Sequence, residues 1–482
     1  MRSAFDRDRI LHGAIAACLL GSAALMAARV LFDQFDSDEL QHTHLAWQVA
    51  QGKVLYRDFW DHHGPLATLL NAALLRLTGA APGIDLMIGL RAVSAFFALL
   101  IAAFTWALAR EVLGSARAAW LSVTALLLAY YFQDPGTEIR PDTLQNACWV
   151  AGLLVLCRHL SRPLPFAPFA AGVLFGLAAI ANTKALLGPA LVGLWYLTGR
   201  RWHGFEARRA GRELLLLFAG GVLPVLGAIA WFAKDGAAGA FLHYTTLWNL
   251  AALSIERDTE VAVRNFTFLV TRQAPFFLAV ALGIASFLRT RQPARSLLLF
   301  VAVPLTLLWP VNDFYAQHWL ASLPLLAVVA GAGIHALCDR SRKAAWSLLV
   351  FAGGAFLLAM AMARTPFSPH PNQLAQRALT EYVVATTSRD MPLGVLWTSC
   401  GGYMFNADLQ YHWAARADLG TAIRIDSGDE PFGEAFVAAL ERQQVPLVIG
   451  RRDPAYDALP APLREYVDDH FDYGDCVWTR RH

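Results

Sequence analysis

Residues 10–31 read ILHGAIAACLLGSAALMAARVL, and residues 32–65 continue as FDQFDSDELQHTHLAWQVAQGKVLYRDFWDHHGP. The first stretch is long enough to cross a bilayer as a helix, for which about 20 predominantly apolar residues suffice. Arg7 and Arg9 precede it as they would a cleaved leader, but its length favours a retained helix. The second stretch is its opposite, crowded with carboxylates, imidazoles and aromatic rings. The fold follows from how often the first pattern recurs.

It recurs near residues 86–109, 118–133, 143–157, 166–181, 185–199, 214–233, 266–288, 296–311, 317–337 and 345–363. Of the 482 residues 56% are hydrophobic and 16% charged, and the mean hydropathy is +0.41. Soluble domains carry about 25% charged residues. This much apolar side chain does not fit inside a sphere of this size, so part of it faces lipid. We expect an α-helical polytopic membrane protein with about eleven transmembrane helices. A net charge of +3 gives no reason to expect a nucleic-acid partner.

Arginine and lysine orient the spans. Arg2, Arg7 and Arg9, then Arg110 and Arg117, Arg158 and Arg162, Arg200 to Arg212, Arg289 to Arg295, and Arg340 to Lys343 fall in alternate connections. The positive-inside rule makes those connections and the N-terminus cytoplasmic and the C-terminus external. The alternation holds only if the two short spans around Asn182–Lys184 are separate.

Beyond Arg364 the composition shifts. Residues 365–482 hold 16 acidic and 10 basic residues, a net of −6, which leaves +9 on residues 1–364. Leu393–Trp397 and Pro446–Ile449 read as short strands. We expect a membrane domain over 1–364 and a small extracytoplasmic α/β domain over 365–482. Cys400 and Cys476 lie in that second part, free to pair if it is external; the other four cysteines read as small buried side chains.

The expected outer face carries the chemistry. Its first loop, residues 32–85, is longer than a connection requires. Residues 39–51 suit an amphipathic helix at the interface, with Asp38 capping it and His42 one turn along the same face. Tyr56, Arg57, Asp58, Asp61, His62 and His63 form a second polar knot. Three plainer readings stay open: Asp36, Asp38 and Glu39 as helix caps; His42, His44, His62 and His63 as a zinc set, though without a tight two-plus-two spacing; and Tyr56, Phe59 and Trp60 as an interfacial aromatic belt.

The second outer loop spans 134–142 and ends at Pro141, suited to the first turn of a helix, so that Arg140 and Asp142 stand at its mouth. A salt bridge between those two is the plain alternative. Lys184, a cation between two apolar spans, calls for an anionic partner such as a lipid phosphate. Residues 235–265 and 312–319 read as interfacial segments. The sequence has no Gly-rich phosphate loop, Gly-x-Ser-x-Gly elbow or Cys-x-x-Cys pair.

Asp38-Glu39, the helix ending at Gly52, Tyr56-Arg57-Asp58-Phe59 and His63-Gly64-Pro65-Leu66 together resemble bacterial membrane glycosyltransferases of the GT-C superfamily. Those enzymes are related to protein O-mannosyltransferases and lipid A aminoarabinose transferases. Ile139-Arg140-Pro141-Asp142, Thr183-Lys184 and the approach to Pro324 look like further marks of the family in the same order.

The resemblance implies a GT-C fold and an inverting transfer of a sugar from a polyprenyl-phosphate carrier to a hydroxyl acceptor. The acceptor class would be a cell-envelope glycolipid, a polysaccharide or a protein, and the setting the outer face of a bacterial inner membrane. It also implies that Asp38 is the general base with Glu39 beside it, that Asp142 is a second carboxylate, and that Lys184, helped by Arg140, meets the donor phosphate. Asp36, His42, Tyr56, Arg57, His62 and His63 would line the substrate site, and Asp36 competes with Asp38 as the base. Where many relatives carry Lys-Pro-Pro this chain has His63-Gly64-Pro65, and His63 is basic only when protonated.

Physical chemistry points the same way. A departing phosphate needs fixed positive charge, and the attacking hydroxyl needs a carboxylate opposite it. A monophosphate carrier makes a divalent metal less necessary than a nucleotide-sugar donor does, so no obligatory metal is expected. A membrane transporter or lipid flippase is the rival. It predicts mid-membrane charges and inverted repeats, and the sequence has no repeat. A non-catalytic scaffold would leave the charged first loop unexplained.

Overall fold

The computed structural model describes residues 2–481 apart from 204–205, 253–258, 291, 308–315, 342, 344–345, 348–349, 355–356, 358–366, 397–399, 407, 411–429, 453, 458 and 475. Helices dominate. In chain order they are α1 (Arg2–Phe32), α2 (Ser37–Ala50), α3 (Pro65–Thr78), α4 (Ile84–Leu113), α5 (Ala116–Leu128), α6 (Tyr130–Thr137), α7 (Pro141–Ser161), α8 (Ala167–Ala181), α9 (Leu187–His203) and α10 (Ala207–Ala233). After two short helices, α11 (Ala238–Leu242) and α12 (Asn249–Ala252), come α13 (Thr259–Arg272), α14 (Ala274–Leu288), α15 (Pro293–Leu307) and α16 (Leu323–Arg340).

Each of the first ten apolar stretches thus contains a helix; most of the eleventh, 345–363, lies outside the described residues. Length and apolarity suffice for a membrane crossing in four described helices: His12–Phe32 of α1, α4, α10 and α16. The stretch at 266–288 consists of two helices, bent by 82° where they meet, that together are long and apolar enough for one broken span. Gln273 breaks the ladder and Pro275 opens α14, because proline fits a helix's first turn but has no N–H for its interior.

The chain divides into two compact units. The first contains residues 1–31, 92–228 and 256–368. Its core is Leu, Ala, Val and aromatic side chains from α5, α7, α14 and α16, with Trp149, Trp195 and Trp319 fully buried. Small residues let its helices approach closely, as helices in lipid need. A Cβ on Gly283 would lie 1.8 Å from the Val329 carbonyl oxygen, and one on Gly172 2.2 Å from that of Leu217. Buried charge is paired: Glu213 meets His159 at 2.9 Å and Arg209 at 2.8 Å, and Arg29 near the end of α1 meets Asp134.

The expected loop 134–142 is mostly helix. α6 carries Pro135 inside it and ends at Thr137, and Pro141 begins α7 with Arg140 at its N-cap. Between α8 and α9 the chain makes a 3-10 turn, Thr183–Leu186, so the two short spans are separate helices.

The second unit contains residues 32–91, 229–255 and 369–482. Its sheet has strands β1 (Leu393–Val395), β2 (Asp408–Gln410), β3 (Leu447–Ile449), β4 (Phe471–Gly474) and β5 (Val477–Arg480), in the order β2-β1-β3-β5-β4. β1 runs parallel to β2 and β3, while β5 pairs antiparallel with β3 and β4. Helices Glu430–Arg442 and Ala461–His470 contribute Phe436, Leu440, Leu463 and Val467 to a core with Val448 and Trp478. A disulfide joins Cys400 to Cys476.

The first loop is held within this second unit. Phe35 N donates to Gln376 Oε1 (3.0 Å), and Gln376 Nε2 donates back to the Phe35 carbonyl (2.7 Å). Gln48 Nε2 donates to the Asn406 carbonyl (2.9 Å), and Trp47 meets Phe405 edge-on. As a result α2 is not a half-exposed interfacial helix: every residue from Glu39 to Val49 is buried.

Candidate active site

Two sets of polar groups, one in each unit, contain the residues that the sequence singles out. In the second unit the start of α2 is ordered by a capping box. Asp36, not Asp38, is the N-cap: its Oδ1 accepts from Glu39 N (2.8 Å), and Asp36 N donates to Glu39 Oε2 (3.2 Å). The spacing Asp36-x-x-Glu39 is the box's signature, which leaves Asp38 inside the first turn, half-buried.

Glu39 is 1% exposed and carries a second load. Arg91 Nε and Nη2 donate to its two carboxylate oxygens at 2.8 and 2.6 Å. The same guanidinium donates to the carbonyls of Asp33 (2.8 Å) and Gln34 (2.5 Å) and lies over the Phe35 ring. Such a bidentate, buried pair fixes geometry more than it supplies a mobile proton acceptor. Beside Asp36 lies a cavity of about 220 Å³, lined among others by Phe35, Asn372, Gln376, Arg451 and the Cys400–Cys476 disulfide.

The second polar knot packs behind α2. Tyr56 has φ 69°, a left-handed conformation rare outside glycine. Its ring lies against Phe232 and Phe241, and its hydroxyl donates to the His63 carbonyl at 2.6 Å. Burial, with Asp61 beside it, pushes the phenol well above its ordinary range, so it stays a donor. Arg57 is half-exposed and pairs with Asp58 (2.8 Å), whose carboxyl it holds below the usual value.

Asp61 is fully buried and accepts from His63 N (2.9 Å). Burial raises its carboxyl above the ordinary range, with His42 and His62 pulling the other way. His42 is buried and its ring stands 4.8 Å from that of His63. A π turn over His243–Trp248 brings Asn249 to donate to the His62 carbonyl (2.8 Å). His44, two positions beyond His42, instead lies near Gln48 Nε2 at 3.5 Å.

In the first unit a chain of contacts joins α7 to the turn after α8. Asp142 is 6% exposed, and its Oδ1 accepts from Asn182 Nδ2 at 3.5 Å. Asn182 Oδ1 accepts from Lys184 N (3.2 Å), capping the 3-10 turn. Lys184 Nζ donates to His318 Nε2 at 2.9 Å, an imidazole that is buried at the approach to α16. Arg140 pairs with Glu138 (2.5 Å). The neighbouring expected segment 312–315 lies outside the described residues.

Successive contacts therefore join Asp142 to Asn182, Asn182 to the Lys184 backbone, and the Lys184 amine to His318 in the first unit. Sequence reasoning named Asp142 and Lys184 but missed Asn182 as their link, Glu138 as the partner of Arg140, and Arg91 as the anchor of Glu39. Asn182 and Arg91 are polar residues set in apolar helical stretches, which is the signal that marks them.

A polytopic helical frame with polar knots at helix starts has precedent. ArnT from Cupriavidus metallidurans, bound to undecaprenyl phosphate, superposes with a TM-score of 0.69 at 13% identity over 97% of this chain and 97% of that one. The chain has the GT-C fold. Apo ArnT gives 0.68 at 14% identity, covering 97% of this chain and 98% of its own. The GT-C likeness extends to the archaeal oligosaccharyltransferase AglB from Archaeoglobus fulgidus, in complex with an inhibitory peptide and a dolichol-phosphate. There the TM-score is 0.58 at 14% identity, over 95% of this chain and 72% of that one. Residues 62–227 match the family described as dolichyl-phosphate-mannose-protein mannosyltransferase. No curated protein sequence matches the chain.

Proposed function

We propose that this protein is an inverting glycosyltransferase that moves a sugar from a polyprenyl-phosphate carrier to a hydroxyl of an envelope glycolipid, polysaccharide or protein. The observation that carries the reading is the line Asp142–Asn182–Lys184–His318, with its ammonium held by a buried imidazole at a break between two apolar helices. The GT-C fold and the mannosyltransferase family match support it, as do the lipid phosphates bound by ArnT and AglB.

The chemistry divides into two tasks. The acceptor oxygen attacks the anomeric carbon and loses its proton to a carboxylate, while the bond from that carbon to the phosphate oxygen breaks and the phosphate leaves with the electron pair. Asp38 is the base in this reading, at the position where the family resemblance puts that carboxylate. Glu39 is then a positioning residue. Lys184, with Arg140, meets the charge that grows on the phosphate, and Asp142 orients the turn through Asn182. No metal is required for these steps. The setting is a bacterial inner membrane, with eleven spans, a cytoplasmic N-terminus and residues 365–482 as an external α/β domain.

Native mass spectrometry of the detergent-purified protein with undecaprenyl phosphate tests the donor site. One bound lipid is expected, with at least tenfold weaker retention in Lys184→Met. Equal retention in both proteins would remove Lys184 from the donor site.

A further inference from the structure

Among the described residues, Asp61, His62 and His63 are a group of three metal-ligating side chains whose donor atoms lie within 4.8 Å of one another. Asp61 is fully buried; its Oδ1 accepts from His63 N at 2.9 Å and lies 3.0 Å from His63 Nδ1, while its Oδ2 has no hydrogen-bond partner. A buried carboxylate oxygen left without a donor is costly, and a bound cation removes that cost. This observation concerns neither the base nor the phosphate site.

The backbone around the group is held from three sides. Asn249 Nδ2 donates to the His62 carbonyl (2.8 Å), Tyr56 Oη donates to the His63 carbonyl (2.6 Å), and His63 N is tied to Asp61. These bonds fix the backbone that carries both histidines, so the ring donors project from a held frame. The rings crowd together: His62 and His63 centroids are 3.8 Å apart, and His42 on α2 stands 4.8 Å from His63. Imidazoles this close repel if more than one is protonated, and the neutral ring is the form that binds metals.

Imidazole nitrogens with one carboxylate oxygen form the donor set of borderline divalent ions, zinc above all. We propose that Asp61, His62, His63 and His42 bind one divalent transition-metal ion, Zn²⁺ by donor type, which fastens the turn before α3 to the middle of α2. His44 takes no part, since the next turn of α2 engages it instead. The role is structural and stands whether or not the transfer reading holds.

The test uses untagged, full-length protein in detergent, stripped with EDTA and titrated with Co²⁺. A visible absorption band saturating at one equivalent and displaced by Zn²⁺ is expected. Asp61→Ala and His62→Gln should each weaken binding at least tenfold, while His44→Ala leaves it unchanged. The proposal is overturned if the wild-type protein shows no saturable band. It is equally overturned if the band persists unaltered in folded Asp61→Ala or His62→Gln protein, since the ion is then bound elsewhere.

Discussion

Asp36, Asp38 and Glu39 stand close together at the start of α2, yet Asp36 caps the helix while Glu39 pairs with Arg91. Replacing Asp36 with Ala removes the cap and should cost about 1 kcal/mol, read as a lowered unfolding temperature. Glu39→Gln leaves the Arg91 guanidinium buried without its charge partner. Its expected cost is about 3–5 kcal/mol, and the double variant Glu39→Gln with Arg91→Met should recover part of it in the same unfolding measurement. The sequence held the Asp-x-x-Glu spacing that distinguishes Asp36 from Asp38, but two carboxylates before one helix made either plausible as a cap. Arg91 lies 52 positions from its partner, a separation at which no local pattern speaks.

At the scale of elements, the legible features were those carried by composition. Apolar length located the helices, Pro141 located the start of α7, and short apolar runs located β1 and β3. Two features escaped. The break at Gln273 falls in the short polar stretch Thr271-Arg272-Gln273, which hydropathy averaged over a whole span reads across. The burial of α2 depends on side chains more than 300 positions away, Phe405 and Asn406 among them. The disulfide spans 76 positions, and closing a loop of that length in the unfolded chain contributes about 4 kcal/mol. Cys400→Ser should therefore lower chemical-denaturation stability by about 2–5 kcal/mol, and reducing agent should destabilise the wild type to the same extent while leaving the variant unaffected. A disulfide is also what an oxidising, external compartment permits.

For the whole molecule, the low charged fraction is the informative quantity. Within residues 1–364 basic residues mark one set of connections, and many of the other charges gather in the first loop, at the start of α7 and at Lys184. That economy is why the polar sets could be read from the sequence, while their wiring through Asn182, His318 and Arg91 waited for coordinates. The central claim is transfer from a polyprenyl-phosphate sugar with Asp38 as base. Its most direct test is mass spectrometry of envelope glycans and polyprenyl-linked sugars in cells lacking the gene, complemented with wild type or Asp38→Asn. The account predicts that wild type restores one added sugar residue on an envelope acceptor. Asp38→Asn, slowed about 10²–10⁴-fold, should not restore it and should leave the lipid-linked donor to accumulate. Full restoration of the glycan by Asp38→Asn would contradict the account.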